Sequence, residues 1–365
     1  MLRLLVLALV MQAAAQAASW KMVFFHDEDE TELKVADAAF GSAARGIVVG
    51  TLDWTKRERS RPVALLTSDG GTTWEQTPLR ERPVSVFLLN DSLGWLVTDK
   101  GLWQTEESGR SWRKLKAPGK DLLRVHFLTP ERGWAVGARK QVYATDDGGE
   151  NWTEVVEAKK PDAKDEHSWY GGITFANDRT GLISGWSRPP RRDEGRLPDW
   201  VEPERNRRRR QWPTMTMLLE TRDGGQTWSS SVSSLFGRVS RITLSPQGWG
   251  LSLLLFEDQF QYPSEVVRLD WTTGKSASTF REKDRRITDV WIDGGRAFLG
   301  GTEHVGPLAR SPIPRKVSVY ESENGSPWRA MDVDYRAVAR AVRLAGSGGR
   351  YWLVTDTGMI LRLEP

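Results

Sequence analysis

Five arginines stand at or near the start of short apolar runs that are typical of β-strands. These arginines are Arg82, Arg124, Arg241, Arg286 and Arg340. A guanidinium group is planar and permanently charged, and it binds carboxylates and phosphates through paired hydrogen bonds. Only Arg124 and Arg241 share an evident register, in the segments RVHF and RITL. The five are therefore candidates for an anion-binding site, and the alternative is that they are ordinary solvated strand ends.

A second basic group lies in the segment 187–213 and ends in a run of four arginines, Arg207, Arg208, Arg209 and Arg210. Between positions 188 and 210 there are nine arginines against five acidic residues. Many charges and prolines with few apolar residues predict a loop rather than part of a packed core. Such a loop could dock an acidic protein, an anionic membrane surface or a polyanionic glycan, and the alternative is a solvated loop. Trp200 and Trp212 favour a contact role, because an exposed Trp is otherwise a liability.

Four eight-residue segments, here called boxes, repeat one pattern: TSDGGTTW at 67–74, TEESGRSW at 105–112, TDDGGENW at 145–152 and TRDGGQTW at 221–228. The acidic third residue can accept backbone hydrogen bonds in a hairpin turn, the fifth-position Gly can adopt a positive φ, and the Trp starts the next strand. The predicted structural residues are Asp69, Gly71, Trp74, Glu107, Gly109, Trp112, Asp147, Gly149, Trp152, Asp223, Gly225 and Trp228. We expect the Glu107 turn to be looser, since Glu is longer than Asp.

A glycine followed by an apolar strand occurs seven times, at Gly46, Gly94, Gly133, Gly181, Gly248, Gly295 and Gly349. This spacing is that of four-stranded propeller blades with loop insertions. The last copy has only three strands before Pro365, and SWKMVFF at 19–25 resembles the Trp-led strand that follows each box. The sequence therefore predicts an all-β, seven-bladed β-propeller, closed by pairing of the N-terminal strand with the C-terminal blade. It forms a single domain, 18–365, with a basic loop insertion at 187–213.

Residues 1–17 have the features of a signal peptide, with Arg3, an apolar run from Leu4 to Met11, and a small-residue cleavage site that ends at Ala17. No later segment is apolar for long enough to span a bilayer, and the chain has no cysteine for a disulfide or a lipid anchor. We expect a monomer without a transmembrane span, periplasmic or secreted. Nucleic acid is not an expected partner in that compartment.

The box pattern S/T-x-D-x-G-x-x-W resembles the Asp-box, or BNR, repeat of sialidases, of sortilin-type receptors and of the photosystem II stability and assembly factor family. The size, the alternation of GW strands with boxes and the N-terminal closing strand are most similar to the last of these. That resemblance implies a single seven-bladed propeller that acts as an assembly chaperone. We therefore expect an exported, non-catalytic protein without a cofactor, which docks a protein partner in the cell envelope through a basic channel mouth and the Arg-rich insertion.

The alternative function is that of a carbohydrate-active protein, either a sialidase-like glycoside hydrolase or a glycan binder. The enzyme would need an arginine triad, an acidic acid/base and a Tyr nucleophile with a Glu partner. Glu257 and Tyr262 could be cast as that pair, but the Arg-Ile-Pro signature of sialidases is missing ahead of the first box. No metal is expected either, because the histidines lack metal-ligand spacing: His26, His126, His167 and His304.

Overall fold

The computed structural model describes residues 18–188, 213–256, 261–303 and 315–365. Within these ranges the chain is all-β, and its helical content is limited to two short 3-10 helices, Val156–Lys159 and Asp165–His167. No helix in the described part is both long and apolar enough to cross a membrane. The predicted signal peptide, the arginine run Arg207 to Arg210, and Glu257 and His304 lie outside the described residues.

The strands follow one another along the chain as hairpin-connected neighbours. The N-terminal strand is β1 (Ser19–Phe24). The first sheet contains β2 (Thr31–Phe40), β3 (Gly46–Trp54), β4 (Ser60–Thr67) and β5 (Glu75–Pro78). The second contains β6 (Pro83–Leu88), β7 (Gly94–Thr98), β8 (Gly101–Thr105) and β9 (Arg113–Leu115). The third contains β10 (Leu122–Phe127), β11 (Gly133–Gly137), β12 (Val142–Thr145) and β13 (Thr153–Glu154).

The fourth sheet contains β14 (Ser168–Phe175), β15 (Gly181–Ser187), β16 (Thr214–Thr221) and β17 (Ser229–Leu235). The fifth contains β18 (Arg238–Leu244), β19 (Trp249–Leu255), β20 (Ser264–Asp270) and β21 (Lys275–Phe280). The remaining strands are β22 (Arg285–Asp293), β23 (Arg296–Glu303), β24 (Val317–Glu323), β25 (Arg329–Val333), β26 (Val342–Ser347), β27 (Arg350–Thr355) and β28 (Ile360–Glu364). These last seven strands share one eight-stranded sheet with β1.

The N-terminal strand β1 lies between β25 and β28 in the eight-stranded sheet. It pairs antiparallel with β28, where Trp20 is opposite Leu363, and its first two residues bridge to β25 in parallel. Trp20 is among the largest fully buried side chains of the described residues, and its ring meets Phe298 edge-on at 5.9 Å. Burial of a Trp ring is a large apolar contribution, so β1 is an integral part of the core.

The first strands of successive sheets contact one another in the order β2, β6, β10, β14, β18, β22 and β26, and β26 contacts β2. Aromatic side chains fill the space between neighbouring sheets. Trp95 on β7 stacks on Phe127 of β10 at 3.5 Å, and Trp352 on β27 stacks on Phe40 of β2 at 3.7 Å. The architecture is thus a set of propeller-like four-stranded sheets that pack side by side.

Each box forms the turn between the third and fourth strands of its sheet, at what we call the box end. In the first box, Asp69 accepts hydrogen bonds from the backbone N–H groups of Thr72 and Thr73, both at 2.9 Å. Gly71 has a φ of +88° and packs against Trp74 and Trp352, so a Cβ there would be strained. Asp147 and Asp223 make equivalent turns, in which each accepts the backbone N–H four residues on.

The acidic residue of a box is therefore a structural hydrogen-bond acceptor. Hydrogen bonds to the ionised carboxylate lower the pKa of Asp69, Asp147 and Asp223 to about 2. Glu107 accepts a hydrogen bond from the Ser111 hydroxyl at 2.7 Å, and no backbone N–H in the described residues donates to its carboxylate. A fifth-sheet turn that the sequence analysis missed uses Asp270 in the same way, with backbone donors at Thr272 and Thr273.

Candidate functional site

A cavity of about 320 Å³ lies where the seven first strands converge. Its lining comes from β2, β6, β10, β14, β18, β22 and β26. Six of these strands contain a β-bulge, at which one residue is left unpaired with the neighbouring strand of the same sheet. Such a bulge bends the strand and changes the direction of the next side chain. The positions that follow the bulges therefore supply the polar groups around the cavity.

Five charged residues occupy equivalent positions on these strands, and we call them the channel ring. They are Asp37, Arg124, Arg241, Asp289 and Arg343. The guanidinium of Arg124 lies 3.4 Å from Asp37, and that of Arg241 lies 3.1 Å from Asp289. Three guanidinium groups against two carboxylates leave the ring with one unbalanced positive charge.

Both carboxylates of the channel ring are buried and also accept a backbone hydrogen bond from the neighbouring first strand around the cavity. Asp37 accepts the N–H of Val86 at 3.3 Å, and Asp289 accepts the N–H of Leu344 at 2.8 Å. Each carboxylate thus has one arginine and one backbone N–H as partners. Asp37 joins the first sheet to the second, and Asp289 joins β22 to β26, the two outer strands of the eight-stranded sheet.

Arg343 differs from the other two arginines of the channel ring. It is half-buried on β26 and lines the cavity, but it makes no ion pair or hydrogen bond with any described residue. The charges of the channel ring change the pKa of Arg124. Asp37 raises that pKa, but desolvation and the charges of Arg241 and Arg343 outweigh it, and the net shift is downward. The three guanidinium groups thus act on one another across the cavity.

An aromatic group on neighbouring first strands also lines the cavity. His126 lies 4.8 Å from Phe87 and stacks on Phe175 at 5.2 Å, measured between ring centroids. Burial, with a smaller effect of Arg124, lowers the pKa of His126 to about 4. His126 is therefore a neutral ring at pH 7, and this part of the wall is apolar.

A second arginine group lies at the opposite end from the boxes, which we call the mouth end, where the first strands begin. The mouth cluster consists of Arg188, Arg238 and Arg286, which belong to the fourth, fifth and eight-stranded sheets. Arg238 and Arg286 have no ion pair or hydrogen bond within the described ranges. The pKa of Arg238 is lowered, first by desolvation and then by the charges of Arg286 and Arg188.

Two tryptophans extend the mouth cluster over the fourth sheet. Trp169 and Trp186 are half-buried and stack at 4.4 Å, and the guanidinium of Arg238 lies 5.2 Å above the Trp186 ring. Ser187 ends β15 beside this pair, so the described residues that flank the insertion lie at the mouth cluster. Arginine and Trp are the side chains that most often dominate binding energy at protein interfaces.

The structure separates the five sequence-predicted arginines into three groups. Arg124 and Arg241 lie in the channel ring, and Arg286 lies in the mouth cluster. Arg82 and Arg340 are exposed and lie outside the cavity lining, and their backbone N–H groups donate to the carboxylates of Asp99 and Asp356. Sequence reasoning missed Asp37, Asp289, Arg343 and Arg238. The signal shared by four residues of the channel ring is a position three residues before the last apolar residue of the strand, as in Asp37 to Phe40 and Arg124 to Phe127. Arg343 does not follow it, because the last apolar residue of β26 is Ala345.

The described residues were compared with the ligand sets of a metal centre and of a sialidase-type site. No three His, Asp or Glu side chains in those ranges are grouped to hold a metal ion. No tyrosine lines the cavity among them, and Tyr262 instead lies under the guanidinium of Arg281 at 4.8 Å.

The packed four-stranded sheets around a shared cavity define an all-β protein of the propeller class. No protein-family model matches the chain. A stretch of 154 residues is 29% identical to the photosystem II assembly lipoprotein Ycf48 of Synechococcus sp. (strain CC9902), covering 39% of this chain. The match spans 41% of that relative's length.

Two solved structures are similar over nearly the whole chain. YCF48 bound to D1 peptide has a TM-score of 0.61 and 16% identity, and covers 95% of both chains. YCF48 from Cyanidioschyzon merolae has a TM-score of 0.58 and 18% identity, and covers 95% of this chain and 98% of that one. At these identities the structural likeness establishes the fold alone. The resemblance to the photosystem II assembly factor family, inferred from the boxes, is confirmed.

Proposed function

We propose that this chain is a non-catalytic, extracytoplasmic binding protein of assembly-factor type, which docks an acidic protein partner at the mouth end. The mouth cluster is the observation that carries the proposal. Desolvation, and then the charges of Arg286 and Arg188, lower the pKa of Arg238. Neither Arg238 nor Arg286 has an acidic partner among the described residues. Like charges held together are unfavourable in the free protein, and an incoming carboxylate relieves that repulsion.

The surroundings of the mouth cluster support a protein partner. The Trp169 and Trp186 pair offers a rigid aromatic surface beside the guanidinium groups. The insertion 187–213 leaves the fourth sheet at this same end and adds arginines. The similarity to an assembly lipoprotein, and the D1 peptide bound to one of the structural neighbours, favour a peptide segment of another envelope protein as the ligand.

The proposal also concerns the number of blades and the closure of the propeller. We infer seven four-stranded blades in a closed ring, with the eight-stranded sheet formed by two blades that β1 joins. Support comes from the contact of β26 with β2 and from the pairing of β1 with β28, which gives the last three strands a fourth. We further propose that residues 1–17 are a signal peptide and that residues 18–365 form one monomeric domain.

The carbohydrate-active alternative is weaker. Three arginines do converge in the cavity, as a sialidase would require, but Asp37 and Asp289 are buried in ion pairs and backbone hydrogen bonds. Both carboxylates thus already have protein partners, whereas a glycosidase needs a carboxyl group that faces the substrate. A glycan-binding role is compatible with the exposed arginines, and acidic glycans therefore belong in the test.

The proposal is tested with two matched double variants. R238Q/R286Q removes two unpaired charges from the mouth end, whereas R110Q/R222Q removes two exposed charges from the box turns at the opposite end. Partners enriched from the envelope of the source cell, and their apparent affinity, are compared at low and physiological salt. We expect at least a tenfold loss for R238Q/R286Q, a similar loss on deletion of 189–212, and no loss for R110Q/R222Q. Equal losses in the two double variants, or enrichment only on acidic glycan beads, would refute the proposal.

A further inference from the structure

We propose that the cavity enclosed by the channel ring is a binding site for a small organic anion, with a carboxylate or phosphate head group held by Arg343, Arg124 and Arg241. This site is separate from the mouth cluster and does not depend on the protein partner. Its volume of about 320 Å³ is too small for a folded segment. That value lies at the lower end of the range for small-molecule sites, roughly 300–1,000 Å³.

The channel ring has one positive charge more than its carboxylates balance, and an anion would neutralise it. Each aspartate is already paired with one arginine and with one backbone N–H of the neighbouring first strand. Arg343 has no such acceptor in the described part of the chain, although it lies in the same cavity. A half-buried guanidinium without an acceptor is unfavourable, and a bidentate carboxylate or phosphate is the group that satisfies it best.

The aromatic side chains that line the cavity indicate that the part of the ligand beyond its anionic group is apolar. Phe87, His126 and Phe175 line it as stacked or tilted rings, and His126 is uncharged at pH 7. Such a wall stabilises a flat apolar body and offers nothing to a fully hydrated ion. We therefore expect an aromatic or aliphatic acid to bind more tightly than a simple inorganic anion.

The test uses benzoate, acetate and inorganic phosphate as probes, at constant ionic strength set with sodium chloride. Calorimetry and thermal unfolding are measured for the full mature chain and for two variants. Arg343→Gln removes the unpaired guanidinium, and Arg340→Gln removes an exposed arginine three residues earlier, outside the cavity. We expect saturable one-to-one binding of benzoate, tighter than acetate, at least a tenfold weaker affinity in Arg343→Gln, and a change within twofold in Arg340→Gln.

A folding defect is distinguished by the behaviour without ligand. Because Arg343 adds an unbalanced charge to the ring, Arg343→Gln should unfold at the same or a higher temperature than the wild type in chloride buffer, and should lose only the increase that the anion causes. Phosphate bound more tightly than benzoate would assign a phosphate head group. No saturable binding of any probe, or equal binding by wild type and Arg343→Gln, would overturn the site. The R238Q/R286Q variant should bind benzoate normally, so this inference can fail or hold independently of the docking proposal.

Discussion

The indole Nε1 of Trp352 donates a hydrogen bond of 3.1 Å to the carbonyl oxygen of Gly70, 282 residues away in the sequence. The Trp352 ring also stacks on Phe40, so one side chain joins the last strands of the chain to its first sheet. The second and third sheets are joined in the same way, because the Nε1 of Trp95 donates to the carbonyl of Gly148 at 3.1 Å. The box carbonyls are therefore anchor points between neighbouring sheets.

Trp352→Phe should lower the free energy of unfolding by about 1–3 kcal/mol, because it removes a buried hydrogen bond and part of a stacked ring. The matched control is Trp134→Phe. Trp134 is buried and packs on Phe175 at 4.8 Å, but its Nε1 has no acceptor in the described structure. Chemical denaturation of both variants should show the smaller loss for Trp134→Phe. Equal losses would mean that the Trp352 to Gly70 hydrogen bond contributes nothing.

Trp20→Ala should destabilise the fold by about 3–5 kcal/mol, the range for a large aromatic removed from a core. Trp20 is 1% exposed, packs against Phe298, and has its Nε1 3.4 Å from the Met331 sulfur. Phe25, next to the end of the same strand, is 46% exposed, and Phe25→Ala should cost no more than about 0.5 kcal/mol. Urea melts of the mature chain measure both. A small effect of Trp20→Ala would mean that β1 is dispensable.

Asp69→Ala should cost about 1–2 kcal/mol, since it leaves the N–H groups of Thr72 and Thr73 without their acceptor. Glu107→Ala should cost less than about 0.5 kcal/mol, because its carboxylate accepts only from the Ser111 hydroxyl among the described groups. Thermal melts of the two variants give the comparison. The reverse order would contradict the structural role assigned to the box aspartate.

Lowering the pH from 7 should weaken the fold before most carboxylates are protonated. The pKa of His126 falls from its ordinary 6.5 to about 4 on folding, so the unfolded chain binds the extra proton in that interval. The free energy of unfolding should therefore decrease by up to about 3 kcal/mol as the pH falls from 6.5 to about 4. His126→Phe keeps the ring contacts and should flatten the profile across this window. Parallel pH profiles for the two proteins would show that His126 is not responsible.

The strands and box turns were readable from the sequence because each depends on local chemistry. An Asp that accepts backbone hydrogen bonds, a Gly with positive φ and a Trp that begins a strand recur at fixed spacing, as at Asp69, Gly71 and Trp74. The looser turn expected at Glu107 agrees with the absence of a backbone donor to its carboxylate in the described residues. The Asp270 turn was missed because its Gly and Trp stand at other positions.

The channel ring was only half predicted, because its register is set by bulges. Counting from the strand start selected Arg82 and Arg340, which the structure places outside the cavity lining, on the surface. Counting back three residues from the last apolar residue of the strand would have selected Asp37 and Asp289 together with Arg124 and Arg241. Arg343 would still have been missed, because it stands two residues before Ala345. The mouth cluster was predicted in part, since Arg286 is one of the five selected arginines and Arg188 lies in the basic segment 187–213. Arg238 was missed, because only the packing of the sheets brings it near these two.

The docking proposal is tested most directly by photo-crosslinking at two exposed positions, one at each end of β21. Lys283 lies three residues before Arg286 at the mouth end, and Thr273 lies in the turn at the box end. With p-benzoylphenylalanine at each position in turn, cells expressing the protein are irradiated, and the adducts are identified by mass spectrometry. We expect a specific protein adduct from position 283 that R238Q abolishes, and none from position 273. An adduct from position 273 alone, or the same adduct from both positions, would contradict the docking proposal.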